Sequence, residues 1–294
     1  MTGPSQNPVS RRALLRMAAA LPIAGGVAML RAAEPRVTVP PYNTLTDEEE
    51  IAFGRKVAAQ LDASMPLLRI GPLDEYVNNM VRKLGAASQR PNMDYVAKVV
   101  NTPVVNAKSI LGGHTYVYRG LLDFVQNEAE LAAVLGHEVG HVVGHHSANN
   151  IMIEVRAKQV YELVKKNVLL QNNVIRQVIE RLGGPLAVLA LLKYQRNEEF
   201  QADMLGMYEM VRCHWDPNGM VRLFESFRKL EGKPDFVKAV MSNHPPSSER
   251  ADRVRAEIQS LRLPARMTDD SLSFKAMKIA LSALPPPPKQ ASQG

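Results

Sequence analysis

The sequence holds a single cysteine, Cys213, in 294 residues. No disulfide can form within the chain, and a cysteine-rich zinc site is excluded. Aromatic residues are scarce, at 5%, and no basic stripe interleaves with them, so a platform for stacking bases is missing. The excess of positive charge is weaker than the formal +7 suggests. Arg11, Arg12, Arg16 and Arg31 all precede the first acidic residue, Glu34. Setting those four aside leaves 32 basic residues against 29 acidic ones, a balance that excludes a strong electrostatic case for nucleic acid or another polyanion. No apolar run reaches the roughly 20 residues that span a bilayer, and no internal repeat is visible.

What is present at the start is a targeting pattern. Ser10-Arg11-Arg12-Ala13-Leu14-Leu15-Arg16 resembles a twin-arginine export signal, and the uncharged stretch Met17 to Leu30 follows it. The expected organisation is an export signal over 1–33, a proline-containing linker over 34–45, one folded domain over 46–263 and a proline-rich, disordered tail over 264–294 with one short helix in it. The expected location is the periplasm or envelope of a bacterium. Association with a membrane would come from an uncleaved leader or from an amphipathic helix in the basic, periodic stretch Ile151 to Leu182.

The chemistry is carried by His137-Glu138-Val139-Gly140-His141. Leu131, Leu135, Val139 and Val142 recur at helical spacing around it, and Asn127 with Glu130 forms a capping-box pattern at its start. On a helix, residues four apart leave the same face, so His137 and His141 can bind one ion. On a strand their Cα atoms would lie about 13 Å apart, too far for two bonds of about 2.1 Å to one zinc. Glu138, about 100° round the helix, can reach a water on the metal without being a ligand. That divides the labour of a zinc hydrolase: the metal polarises a carbonyl and the glutamate moves the proton.

A third ligand must come from elsewhere. His145 shares a face with His141 but lies about 12 Å along the axis from His137, and His146 fails likewise. The metzincin pattern would need a histidine at position 147, which is Ser147. Glu199 and Asp203 stand four apart in a later segment. If that segment is a helix, one carboxylate can bind the metal while the other orients a ligand histidine.

HEVGH, Glu199-x-x-Ala202-Asp203 with Arg196 ahead of it, and His244-Pro245 followed by Arg250 together resemble the M48 zinc metallopeptidases. The likeness runs from about Thr46 to Leu261 and includes Asn106-Ala107 and Gly112-Gly113. It implies one zinc per chain held by His137, His141 and Glu199, with Glu138 as base and Asp203 orienting His137. Arg196 is expected beside the ligands, and Glu198 is a weaker ligand candidate, five residues from Asp203. His244, beside two prolines, is expected near the metal either as a latch on the open position or as an oxyanion partner, the latch being favoured.

The expected fold is α+β, a mostly helical zincin-like domain with a small sheet. Its edge strand is expected just before the HExxH helix, where Gly113, His114, Thr115 and Tyr116 would pair with an extended substrate. His114 is read as a strand residue and not as a ligand. The expected activity is zinc-dependent cleavage of misfolded or unassembled envelope proteins. Two other readings stay open: a zinc-stabilised chaperone or scaffold that binds unfolded chains without cutting them, and a zinc hydrolase of a non-peptide substrate.

Overall fold

The computed structural model describes residues 43–153, 197–229, 244 and 248–288. The expected export signal, Arg196 and nearly all of the basic stretch Ile151 to Leu182 lie outside these residues. Helix α1 (Asp47–Ser64) opens with the capping box read from the sequence: the Thr46 N–H donates to Glu49 Oε2 at 2.9 Å, and the Glu49 N–H donates to Thr46 Oγ at 3.3 Å. Strand β1 (Leu67–Leu68) and helix α2 (Gly71–Ala86) follow, the helix with Pro72 in its first turn. Then come β2 (Val96–Val100), β3 (Ala107–Ser109), a 3-10 turn (Leu111–Gly113), β4 (His114–Tyr118), α3 (Arg119–Phe124) and α4 (Glu128–Val143). Residues 146–153 form α5 and residues 197–212 form α6. Helices α7 (Asn218–Arg228), α8 (Ser248–Ser260) and α9 (Leu272–Ser282) complete the described residues. The domain is thus the mostly helical α+β fold that the sequence predicts.

The four strands run in the order β1-β2-β4-β3. Alternation along the strands sends Val99 and Val117 into the main core, while Val100 and Tyr116 face a smaller cluster with Ala58 of α1. Helix α1 therefore covers one face of the sheet, and the catalytic layer of α2 and α4 packs on the other. Pairing overturns one expectation. β4 bonds in parallel to β2 and antiparallel to β3, so Gly113, His114, Thr115 and Tyr116 lie beside no free edge. The edge next to α4 is β3, a run of Ala-Lys-Ser too short and too poor in β-branched or aromatic residues to announce itself.

Two expected boundaries also shift. Asn43, placed in the linker, is buried and donates to Glu50 Oε1 at 2.9 Å. The tail 264–294, expected to be disordered apart from one short helix, holds α9 there, and its Phe274, Met277 and Leu281 enter the main core. Lys278 Nζ donates to the carbonyls of Leu122, Asp123 and Val125 at 2.8 to 3.1 Å, satisfying the open end of α3. Apolar residues at helical spacing outweigh the polar flanks of that segment. No described helix is long and apolar enough to cross a membrane.

Candidate metal centre

Helices α4 and α6 cross at near backbone contact because both carry small residues four apart. A Cβ on Gly140 would fall 2.5 Å from the Ala202 carbonyl oxygen, and one on Gly206 would fall 2.5 Å from the Gly136 carbonyl carbon. This close crossing brings the carboxylates of α6 to the histidines of α4. The pattern Gly136/Gly140 with Ala202/Gly206 is visible in the sequence but went unread there.

His137, His141, Glu199 and His244 each offer one ligand atom, and the four atoms lie within 4.8 Å of one another. His137 Nε2 stands 3.0 Å from His141 Nε2 and 3.1 Å from His244 Nδ1. Glu199 Oε1 is 3.3 Å from His141 Nε2 and 3.0 Å from His244 Nδ1, while its Oε2 is 3.4 Å from His137 Nε2. The edges of a tetrahedron with metal–ligand bonds of about 2.0–2.1 Å are about 3.4 Å long. The quoted contacts, three imidazole nitrogens and the two oxygens of one carboxylate at 3.0 to 3.4 Å, lie close to that spacing, and the donor set fits a divalent ion such as zinc. Glu198 does not join it. Its Oε2 accepts from Asn150 Nδ2 at 3.2 Å, and burial raises its pKa.

Both helix histidines carry the tautomer a metal needs. His137 Nδ1–H donates to Asp203 Oδ1 at 2.8 Å, which turns Nε2 toward the cluster. Asp203 is gripped in turn by Arg250, through Nε and Nη2 at 2.7 Å each, and Arg250 Nη1 also reaches Glu199 Oε2 at 2.8 Å. The sequence reading quoted Arg250 only as part of a motif and named Arg196 beside the ligands. His141 is oriented differently. His146 Nε2–H donates to the Gln201 amide oxygen at 2.8 Å, so its Nδ1 accepts from His141 Nδ1–H, also at 2.8 Å. His146 reaches back because the chain turns after α4. Gly144 makes room, since a Cβ there would meet His146 Nε2 at 2.4 Å, and His145 takes a left-handed φ of 57°.

The surroundings favour positive charge. Burial alone would lower the His137 pKa, but Glu199 and Asp203 outweigh it and lift it to about 9. Burial pushes His141 down, and the charge on His137 adds to that. His146, buried beside His141, falls to about 3 and stays neutral. Glu199 and Asp203 run the other way: burial would raise both, yet His137 holds Glu199 far below the ordinary carboxylate value and Arg250 lowers Asp203. Without an ion the His137 ring therefore holds a proton on Nε2 as well as on Nδ1, and a divalent ion bound there would displace the Nε2 proton.

Glu138 stands beside the cluster and outside it. Its Oε2 accepts the Ser109 N–H of the edge strand at 2.6 Å, and its Oε1 lies 3.5 Å from His244 Nε2. Burial would raise its pKa, but His244, His141 and His137 outweigh that and keep it ionised.

Two metal-ready histidines one turn apart, a carboxylate from a crossing helix and an ionised glutamate beside them define a metallopeptidase domain. The chain belongs to peptidase family M48, whose model matches residues 72–258. It is 28% identical over 243 residues to the beta-barrel assembly-enhancing protease of Yersinia pestis, covering 80% of this chain and 49% of that one. It is 28% identical over 219 residues to the metalloprotease YcaL of Escherichia coli, covering 74% of this chain and 83% of that one. Against the mitochondrial metalloendopeptidase OMA1 of Arabidopsis thaliana it is 32% identical over 167 residues, 56% of this chain and 32% of the relative. The chain thus spans about half the length, or less, of several curated relatives it matches.

Proposed function

We propose that the chain is a zinc-dependent endopeptidase of the bacterial envelope, with His137, His141 and Glu199 holding one zinc and Glu138 acting as the base. The observation that carries this reading is the convergence of the four donor atoms with Glu138 at their side. Zinc there would supply a Lewis acid for the scissile carbonyl and for the attacking water. Glu138 accepts the water's proton on Oε1, because Oε2 is already held by the Ser109 N–H, and then hands it to the leaving amine. Asp203, Arg250, His146 and Gln201 keep the two imidazoles in register throughout.

The substrate backbone is proposed to pair with β3. Asn106 and Tyr118 bond across the ladder, as do Ile110 and His114, so alternation turns the N–H and C=O of Ala107 and the C=O of Ser109 outward, while the Ser109 N–H is taken by Glu138. An extended chain added there runs past Glu138 whatever its side chains. The names of the bacterial relatives, with the twin-arginine pattern at Arg11 and Arg12, support envelope proteins as substrates and export as the route.

His244 is proposed as a latch. Its Nδ1 sits among the donor atoms and its Nε2 faces Glu138, so in this conformation it fills the position a substrate carbonyl would need. Mass spectrometry of an unfolded-protein digest tests the whole reading: wild type cuts, and Glu138→Gln binds zinc but does not. Full function of Glu138→Gln would leave a chaperone or scaffold as the better account. With His244→Ala, a lost latch raises cleavage and self-digestion. A lost oxyanion partner instead lowers the rate by roughly a hundredfold with zinc retained.

A further inference from the structure

Helix α9 is apolar on two opposite faces. Phe274, Met277 and Leu281 enter the main core. On the far side, Leu272, Ala276, Ile279 and Ala283 follow one another at steps of four, three and four residues. At about 100° per residue they fall within about 60° of one another, the spacing by which one helix packs along a second. Leu272 and Ile279 are each 70% exposed, and among the described residues only Phe53 of α1 joins them as an exposed large apolar side chain. One such residue standing alone needs no explanation, but two on a single stripe of an 11-residue helix ask for a partner. The helix does not need them to form. The Ser271 hydroxyl accepts the Phe274 N–H at 3.0 Å at its start, and the inward face already holds it to the core.

We propose that this stripe docks a second copy of the chain, α9 against α9, antiparallel, about a two-fold axis that passes between the levels of Met277 and Lys278. The sizes along the stripe commit the occupant. In that register Leu272 faces the second copy's Ala283 and Ile279 faces its Ala276, so every large side chain meets a small one and each contact occurs twice by symmetry. Parallel pairing would set Leu272 against Leu272 and Ala276 against Ala276, crowding one level and leaving a void at the next. The flanks agree with the antiparallel choice. Lys275 comes beside the second copy's Ser282, and Ser273 comes beside its Ala280, so no like charges meet. Lys278 is held on its own chain by the carbonyls at the end of α3. A lipid surface would gain from Leu272 and Ile279, but it makes no use of large and small residues in alternation. Contact along about 16 Å of helix falls short of the roughly 800 Å² that each partner buries in a standard interface, so the dimer is weak, with a dissociation constant on the order of 10–100 µM. The docking requires neither zinc nor catalysis.

Sedimentation equilibrium of the full chain from about 1 to about 300 µM tests this, with every variant set beside wild type so that association through any other segment is common to all. Wild type should pass from monomer to dimer over that range. Leu272→Glu and Ile279→Glu should each weaken the dimer by roughly thirtyfold or more. Their melting temperatures at low concentration should match wild type, because both side chains are already exposed in the single chain. The register is tested by size. Ala276→Leu alone sets leucine against isoleucine and should weaken the dimer by about tenfold. Ala276→Leu combined with Ile279→Ala exchanges the two sizes and should restore it to within about threefold of wild type. A wild type that stays monomeric throughout, a dimer that both glutamates leave intact, or an Ala276→Leu dimer tighter than wild type overturns the proposal. Binding to phosphatidylglycerol vesicles that Ile279→Glu abolishes, with no dimer at any concentration, would overturn it in favour of a lipid surface.

Discussion

The same three kinds of side chain occur twice around α4, with different results. At its centre stand His137, Asp203 and Arg250; just past its end stand His145, Glu50 and Arg90. In the second trio His145 Nδ1 lies 2.7 Å from Glu50 Oε1, Arg90 Nη2 lies 3.2 Å from Glu50 Oε2, and Arg90 Nη1 donates to the Val142 carbonyl at 2.6 Å. Both trios are buried and both pair a histidine with a carboxylate and an arginine. Only the first belongs to a group of side chains able to hold an ion among the described residues. A histidine oriented by a carboxylate is thus a stapling device as readily as a metal ligand. What separates the two is where the remaining lone pair points: His137 Nε2 converges with three other donors, while the His145 trio only ties α1 and the α2–β2 connection to the end of α4.

The contrast can be broken most severely at Glu199. Glu199→Ala should lose most zinc from the purified protein, while Glu198→Ala keeps it, as metal analysis of the two will report; equal zinc in Glu199→Ala and wild type would remove the ligand assignment. Next comes Asp203→Asn, which loosens Arg250 and the His137 tautomer together and should weaken zinc by roughly 10–100-fold in a chelator competition. His146→Phe removes a neutral partner instead of a charged one, so its loss should be smaller, about tenfold or less in the same competition.

On the other trio, Glu50→Gln should leave zinc affinity unchanged and reduce stability by about 1–3 kcal/mol. Burial would raise the Glu50 pKa, but His145, Arg90 and Asn43 hold it below the ordinary value. Its stabilising effect is therefore full above about pH 4.5 and is lost as pH falls through the depressed pKa. Melting curves between pH 3 and 7 should show an acid limb that flattens in Glu50→Gln. An unchanged limb would deny Glu50 that role.

How much of this was legible before the fold depended on whether the signal was local. The helical spacing of His137 and His141, the capping residue Asn127 and the four-residue step from Glu199 to Asp203 are periodic features, readable from one stretch at a time. His146 was rightly set aside as a ligand on axial distance, yet its bond to His141 depends on a turn whose only trace is Gly144 followed by a left-handed histidine. The edge strand was misplaced because strand order is a property of pairing between distant segments, and β3 has three residues to advertise it. Arg250 was read as a motif and not as a partner, since nothing local says that one guanidinium will hold two carboxylates some fifty residues upstream.

The clamp of α9 on α3 bears on the order in which the domain assembles. Arg119 Nη1 donates to the Pro285 carbonyl across 166 residues of chain, and the three bonds of Lys278 span more than 150. Closing loops of that length costs entropy before any contact repays it, and contacts so remote in sequence slow folding. Phe274, Met277 and Leu281 of α9 join the main core long after the HExxH helix has been made. A nascent chain that already carries His137, His141 and Glu199 therefore still lacks α9, and the main core is completed late in the life of each molecule.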